Sequence, residues 1–185
     1  LLLSLALLAF ARDGVAAPGD PDDSFSTDGI ATADFGADER AYAVVVQPDG
    51  RIVAAGVRAS GGAGDLALAR FDAGGALDPS FGAGGLVVTD LGADDEVARG
   101  LALLPDGRLV AAGVSGGDIA LVRYHADGTL DPTFGSAGIV TTDVAGGLDS
   151  AHALLRTAGG KLLVAGSAFT GLFTDLALLR YEASG

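Results

Sequence analysis

The sequence predicts an all-β fold in which one unit of four short strands is written three times. Three observations predict it. Landmark motifs recur in the same order, with their phenylalanines 56 and then 53 residues apart. Apolar runs of five to seven residues are separated by Gly and Asp, which leaves little room for helices. Several of these runs are apolar on both faces, as strands covered on both sides must be. The composition agrees: of 185 residues 30 are Gly and 49% are hydrophobic, with no Cys, Met or Trp. Eleven basic residues against 24 acidic ones give a net charge of −13. That charge opposes a phosphate backbone and excludes a nucleic-acid partner. The lack of Cys excludes disulfide frameworks, thiolate metal sites and cysteine catalysis.

The chain opens on Leu-Leu-Leu-Ser-Leu-Ala-Leu-Leu-Ala-Phe, followed by Val15-Ala16-Ala17-Pro18. A run of ten residues, apolar apart from Ser4, is too short to cross a bilayer, which takes about 20. It fits the apolar core of a secretory signal with small residues at its cleavage site. Residues 1–17 are therefore read as a signal peptide whose basic n-region is missing. The mature chain is expected to be secreted or held in the cell envelope, with no membrane span.

Three repeat units follow, at 20–75, 76–128 and 129–185. Pro21-Asp22-Asp23-Ser24-Phe25-Ser26 becomes Leu77-Asp78-Pro79-Ser80-Phe81-Gly82 and then Leu130-Asp131-Pro132-Thr133-Phe134-Gly135. The first strand of each unit is expected at 29–35, 85–91 and 138–144. In the first unit the second strand is read at 41–47 and the third at 51–57. Pro48-Asp49-Gly50 between them is a tight-turn signal, repeated at Pro105-Asp106-Gly107: Pro sets φ, Asp caps, and Gly50 or Gly107 accepts φ > 0. The third unit carries Thr157-Ala158-Gly159-Gly160 there. A Gly/Ser-rich loop (58–64 in the first unit) leads to the fourth strand, at 66–71. That strand reads Leu66-Ala67-Leu68-Ala69-Arg70-Phe71, then Ile119-Ala120-Leu121-Val122-Arg123-Tyr124, then Leu176-Ala177-Leu178-Leu179-Arg180-Tyr181.

Four-stranded sheets apolar on both faces must be stacked, and stacking them around an axis makes a β-propeller. Ala54-Ala55-Gly56, Ala111-Ala112-Gly113 and Val164-Ala165-Gly166 would allow close approach between blades. A β-helix repeats at a shorter period, and an immunoglobulin-type sandwich needs about 100 residues per unit. The expectation is three four-stranded antiparallel blades of a partial propeller. Propellers close with about 4–8 blades, so further blades of a parent chain or a second copy are expected to complete the ring.

The series Leu-Asp-Pro-(Ser/Thr)-Phe-Gly, Pro-Asp-Gly-Arg, Ala-Ala-Gly and Ala-Leu-(Ala/Val)-Arg-(Phe/Tyr) resembles the delta-60 repeat over residues 20–185. The second unit matches best. The first departs at Asp23 and Ser26, and the third lacks Pro-Asp. The resemblance implies a β-propeller-like bacterial repeat protein of unknown function, of a kind usually exported or displayed. It carries over no catalytic residue.

Few residues suggest chemistry. Gly113-Val114-Ser115-Gly116-Gly117 has the spacing of a nucleophile elbow but falls between two strands, without the required helix, and reads as a turn. His125 and His152 lie in different units with no visible base–nucleophile partner. Asp34, Asp90 and Asp143 end the first strand of each unit, Asp65, Asp118 and Asp175 precede the fourth, and Asp94-Asp95-Glu96 form a loop cluster. Converging carboxylates could hold Ca²⁺. The spacing lacks any recognised calcium pattern, so turn caps and ion pairs are the preferred reading and no cofactor is expected. Arg70, Arg123 and Arg180 share a strand face with leucines and should each be paired, in our reading with an Asp of the same blade. Phe25, Phe81 and Phe134 are read as wedges between blades. The function expected is an exported, non-enzymatic scaffold for binding or surface display, with a protein or surface ligand as its partner. The alternative is a hydrolase- or lactonase-like propeller enzyme using Ca²⁺ or paired carboxylates at the axial channel.

Overall fold

The computed structural model describes residues 18–92 and 95–183. The signal-like segment 1–17 and Asp94 lie outside the described residues. Among those residues there are eleven strands and no helix: β1 Asp38–Val46, β2 Ile52–Ser60, β3 Ala63–Phe71, β4 Leu86–Thr89, β5 Val97–Leu103, β6 Leu109–Ser115, β7 Asp118–Tyr124, β8 Ile139–Thr142, β9 Ser150–Arg156, β10 Leu162–Phe169 and β11 Thr174–Tyr181. They form three antiparallel sheets, β1-β2-β3-β4, β5-β6-β7-β8 and β9-β10-β11. The fold is all-β and of the partial-propeller kind, and the sheets do not close a ring.

The repeat unit and the sheet are out of phase by one strand. Residues 86–89, first strand of the second unit, pair with β3 of the first sheet, Leu66 facing Thr89 and Ala69 facing Leu86. Residues 139–142 likewise complete the second sheet, Ile119 facing Thr142. Sheets therefore span 38–89, 97–142 and 150–181 rather than following the boundaries 20–75, 76–128 and 129–185. The expected first strand at 29–35 is not a strand, and it pairs with no sheet among the described residues. The third sheet has three strands, with no strand paired to the outer edge of β11 among the described residues.

Short turns set the register. Gly50 and Gly107 take φ of 85° and 86°, and their amides return to Gln47 and Leu104 carbonyls at 2.9 and 3.0 Å. The third unit keeps this turn without Pro-Asp, since the Thr157 hydroxyl accepts the Lys161 amide at 3.1 Å. The expected loop at 58–64 shrinks to two residues. Strand pairing continues to Ser60 opposite Ala63, and Gly61 and Gly62 take φ of 66° and 97°, as a primed hairpin turn requires. Gly116 and Gly117 repeat this geometry at 61° and 92°, so the elbow-like motif is a hairpin.

The second sheet is buried on both faces. Leu109, Ala111, Val122 and Tyr124 face the first sheet's Val53, Ala55, Leu66 and Leu68, with Phe81 between. Val110, Ala112, Ile119 and Leu121 face the third sheet's Leu162 and Val164, with Phe134 between. At one sheet edge β5 lies between β1 and β9 and contacts both. A Cβ on Gly100 of β5 would lie 2.7 Å from the Leu154 amide nitrogen of β9. The close approach credited to Ala-Ala-Gly is instead within a sheet: a Cβ on Gly113 would stand 1.7 Å from the Val97 carbonyl, opposite a β-bulge at Arg99.

Candidate functional site

Each interface between sheets is clamped by the same polar socket. Arg70, at the end of β3 and 5% exposed, donates from Nε to Asp78 at 2.9 Å and from Nη2 to the Ser80 hydroxyl at 2.9 Å. Its Nη1 reaches the Ala126 carbonyl of the second sheet, and its guanidinium lies 4.6 Å over the Phe81 ring. Arg51, from the Pro-Asp-Gly-Arg turn, also meets Asp78 at 2.8 Å. One interface further on, Arg123 bonds Asp131 at 2.8 Å, Thr133 at 2.9 Å and the Ala183 carbonyl. It stacks 4.6 Å from Phe134, and Arg108 meets Asp131 at 2.8 Å.

Each arginine thus finds its Asp in the connection to the next unit and crosses to the neighbouring sheet, which goes beyond the expected tie within one blade. Arg180 departs from the expectation altogether: it is exposed, and no Asp pairs with it among the described residues. Phe81 and Phe134 are fully buried and Phe25 is half-buried. Asp78 and Asp131 were missed as a class. The signal was present, an Asp with Ser or Thr two residues on, always just before the Phe.

These carboxylates are acidified. The Ser80 hydroxyl lowers Asp78 most, burial opposes it, and the Ser80 amide, Arg70 and Arg51 add to the lowering. For Asp131 burial is the largest single effect and raises it. Bonds from Thr133, Arg108 and Arg123 together outweigh burial and hold it well below the ordinary range.

The acidic candidates gather into two equivalent triads, Asp65 with Asp90 and Glu96, and Asp118 with Asp143 and Asp149, each with ligand oxygens within 4.8 Å of one another. Asp149 was missed, although Glu39, Glu96 and Asp149 recur at the start of the inner strands. Oxygens of both triads are engaged. Buried Glu96 accepts the Leu91 amide at 2.9 and 2.7 Å, and buried Asp149 accepts those of Val144 and Phe169 at 2.6 and 3.1 Å. Asp90 caps Gly92 at 2.7 Å, Asp143 caps Gly146, and Arg58 meets Asp65 at 3.1 Å. Asp34 caps Gly36 at 2.7 Å in the first unit. Asp95 is exposed and bridges to Gly64.

A third set is chemically varied. The strands β1, β5 and β9 each bulge at one residue, and these are Tyr42, Arg99 and His152. Tyr42 is 48% exposed, Arg99 lies 5.6 Å over its ring, and His152 approaches Ser167 at 3.2 Å. His125 sits apart in an outer turn, 3.9 Å from Asp131.

Among the described residues no helix is long and apolar enough to cross a membrane. Comparison with curated proteins finds no match. Residues 47–81 and 104–134 match the family model described as Domain of unknown function (DUF5122) beta-propeller. The two matched segments each run from a Pro-Asp-Gly turn to the Phe of the following socket. The chain is thus similar to that family over the two intact copies of its repeat, and its domain is of the β-propeller type.

Proposed function

We propose that the chain is an exported, non-enzymatic repeat module of the delta-60 kind, acting in the cell envelope or outside the cell as a binding or display scaffold. One observation carries this reading: the polar residues that recur from unit to unit are tied up internally. Arg70, Arg123, Asp78 and Asp131 clamp sheets, while Asp90, Asp143, Glu96 and Asp149 cap loops. Chemistry that changes from unit to unit sits at the inner-edge bulge, as Tyr42, Arg99 and His152. A scaffold presents such varied side chains to a protein or surface ligand. A catalytic site additionally needs a nucleophile or metal poised among them.

The test has two arms. Expressed with residues 1–17 behind an initiator Met and a basic n-region, the chain should be recovered in the exported fraction with Pro18 as its N-terminus, and it should hydrolyse ester and lactone probes no faster than buffer. Retention inside the cell with the leader intact would overturn export. Turnover abolished by His152→Ala or Asp90→Asn would overturn the non-enzymatic reading.

A further inference from the structure

We propose that the chain associates head to tail with a second copy: residues 29–35 of one copy add as the outer strand to β11 of the other, and Asp22, Ser24 and Phe25 receive its Arg180. This does not depend on the scaffold reading. It rests on two half-built interfaces at opposite ends of the described fold.

The first half is a socket that no arginine enters among the described residues. Ser24 donates to Asp22 through its amide at 3.0 Å and its hydroxyl at 2.6 Å. The geometry repeats Ser80 on Asp78, at 3.0 and 2.7 Å, and Thr133 on Asp131, at 3.1 and 2.6 Å. The wedge already stands on the first sheet: Ser26 donates to the Gly74 carbonyl at 2.8 Å, as Gly82 does to Asp127. Beyond it, Ala31, Thr32, Ala33 and Phe35 line a cleft with Ala54, Ala69 and Phe71 of the first sheet. In the filled interfaces Tyr124 bonds Thr89 at 2.8 Å and Tyr181 bonds Thr142 at 2.9 Å. The first unit has Phe71 and Ala33 at these two places. Both hydroxyls are missing together, so neither is left unpaired, as expected if 29–35 occupies the same strand position.

The second half is the outer edge of β11, which no strand covers among the described residues. On β11 Leu176 is 86% and Leu178 63% exposed, whereas their counterparts Leu66, Leu68, Ile119 and Leu121 are at most 1% exposed. An open, apolar sheet edge is a template for a further strand. Carrying over the registers of β3–β4 and β7–β8 sets Leu176 opposite Ala33 and Leu178 opposite Ala31. The Arg180 guanidinium then meets Asp22, Ser24 and the Phe25 ring, as Arg123 meets Asp131, Thr133 and Phe134. Such a heterologous contact, made twice, closes a ring of two copies. Asp175 would join Asp34 and Glu39 of the second copy in a third acidic triad, so the ring forms best at physiological salt.

The experiment is sedimentation equilibrium in physiological salt, on the whole chain and on the form beginning at Pro18. Twice the monomer mass is expected for both. Arg180→Glu and Asp22→Arg should each weaken association about 30-fold or more, and the two together should restore it. Because the chain has no Cys, Ala31→Cys with Leu178→Cys supplies the only thiols, and peptide mapping distinguishes a 31–178 linkage between copies from any other pairing. That variant should cross-link as a dimer, and Thr32→Cys with Leu178→Cys, one residue out of register, should not. A monomer at tens of micromolar, species larger than two copies, or a dimer indifferent to both charge variants and to the cysteine register would each overturn the proposal.

Discussion

Replacing Asp131 by Ala tests the socket as an energetic element. The carboxylate is fully buried and accepts four hydrogen bonds, from the Thr133 amide and hydroxyl at 3.1 and 2.6 Å and from Arg108 and Arg123 at 2.8 Å each. Its loss leaves Arg123, with a side chain 3% exposed, without a counter-charge. Breaking a buried pair in this way costs about 3–5 kcal/mol. Arg108 adds little, because its side chain is 33% exposed and keeps Asp106. For a chain of this length each kcal/mol lowers Tm by about 2–4 °C, so a fall of about 6–20 °C is expected. With no Trp in the chain, the assay is urea and thermal unfolding followed by circular dichroism. Asp106→Ala is the control: that carboxylate's side chain is 49% exposed, and its removal should cost about 1 kcal/mol or less. If Asp131→Ala cost no more than Asp106→Ala, the buried pair would not be what clamps the second and third sheets.

Three further outcomes follow from the same geometry. Asp78 and Asp131 titrate lower in the fold than in the unfolded chain, where an Asp titrates near about 3.9. The stability they contribute is complete above that value and is lost as pH falls through it towards the folded values; urea midpoints should drop below about pH 4, and less steeply in Asp131→Asn. Gly113→Ala would drive a Cβ into the Val97 carbonyl and should destabilise by about 1–3 kcal/mol, whereas Gly159→Ala, with nothing closer than 4.0 Å, should be neutral by the same urea assay. The acidic triads already serve as loop caps, so melting temperatures should be equal in millimolar Ca²⁺ and in EDTA; a rise that tracks calcium concentration would instead show that they bind the ion.

The recurrence of Pro-Asp-Gly, Ala-Ala-Gly and the Arg-bearing strand was enough to read eleven of the twelve expected strands, their order and their two apolar faces, but not that residues 29–35 stay outside every sheet. The phase of the sheets was not legible, because strand pairing is a contact between units. Nothing local in residues 85–91 says that they join Leu66 to Ala69 behind them rather than residues 97–103 ahead. Hairpin length was misread for a different reason. Arg58-Ala59-Ser60 lacks the apolar signature of a strand, yet its backbone pairs with Ala63, Gly64 and Asp65 because two adjacent glycines reverse the chain with the right twist. The socket was half visible. Arg70 and Arg123 stood out as cations among leucines, while Asp78 and Asp131 were hidden inside a motif whose turn chemistry already explained them. The bulge residues could be seen only as a column of unlike polar side chains, since a bulge is one residue too many in a register the sequence does not display.

The socket also answers a difficulty that the apolar faces create. Strands such as Leu66-Ala67-Leu68-Ala69 and Ile52-Val53-Ala54-Ala55 are small and apolar on both sides, so a slip of two residues would keep every side chain on its own face. Hydrophobic burial alone then discriminates poorly between registers. Arg123 removes the degeneracy, because its Nε meets Asp131 only when β7 sits so that Arg123 also accepts the Asp131 amide and donates its own amide to Gly138, both at 2.9 Å. Buried ion pairs of this kind are often no more stabilising than well-packed apolar residues. Arg123→Met combined with Asp131→Leu should therefore recover most of the stability lost in Asp131→Ala while relaxing the register. Amide resonances of β7 and β8 would then broaden or double relative to the wild type. A double variant with a single sharp set of resonances would show that packing against Phe134 and Tyr124 fixes the register without the ion pair.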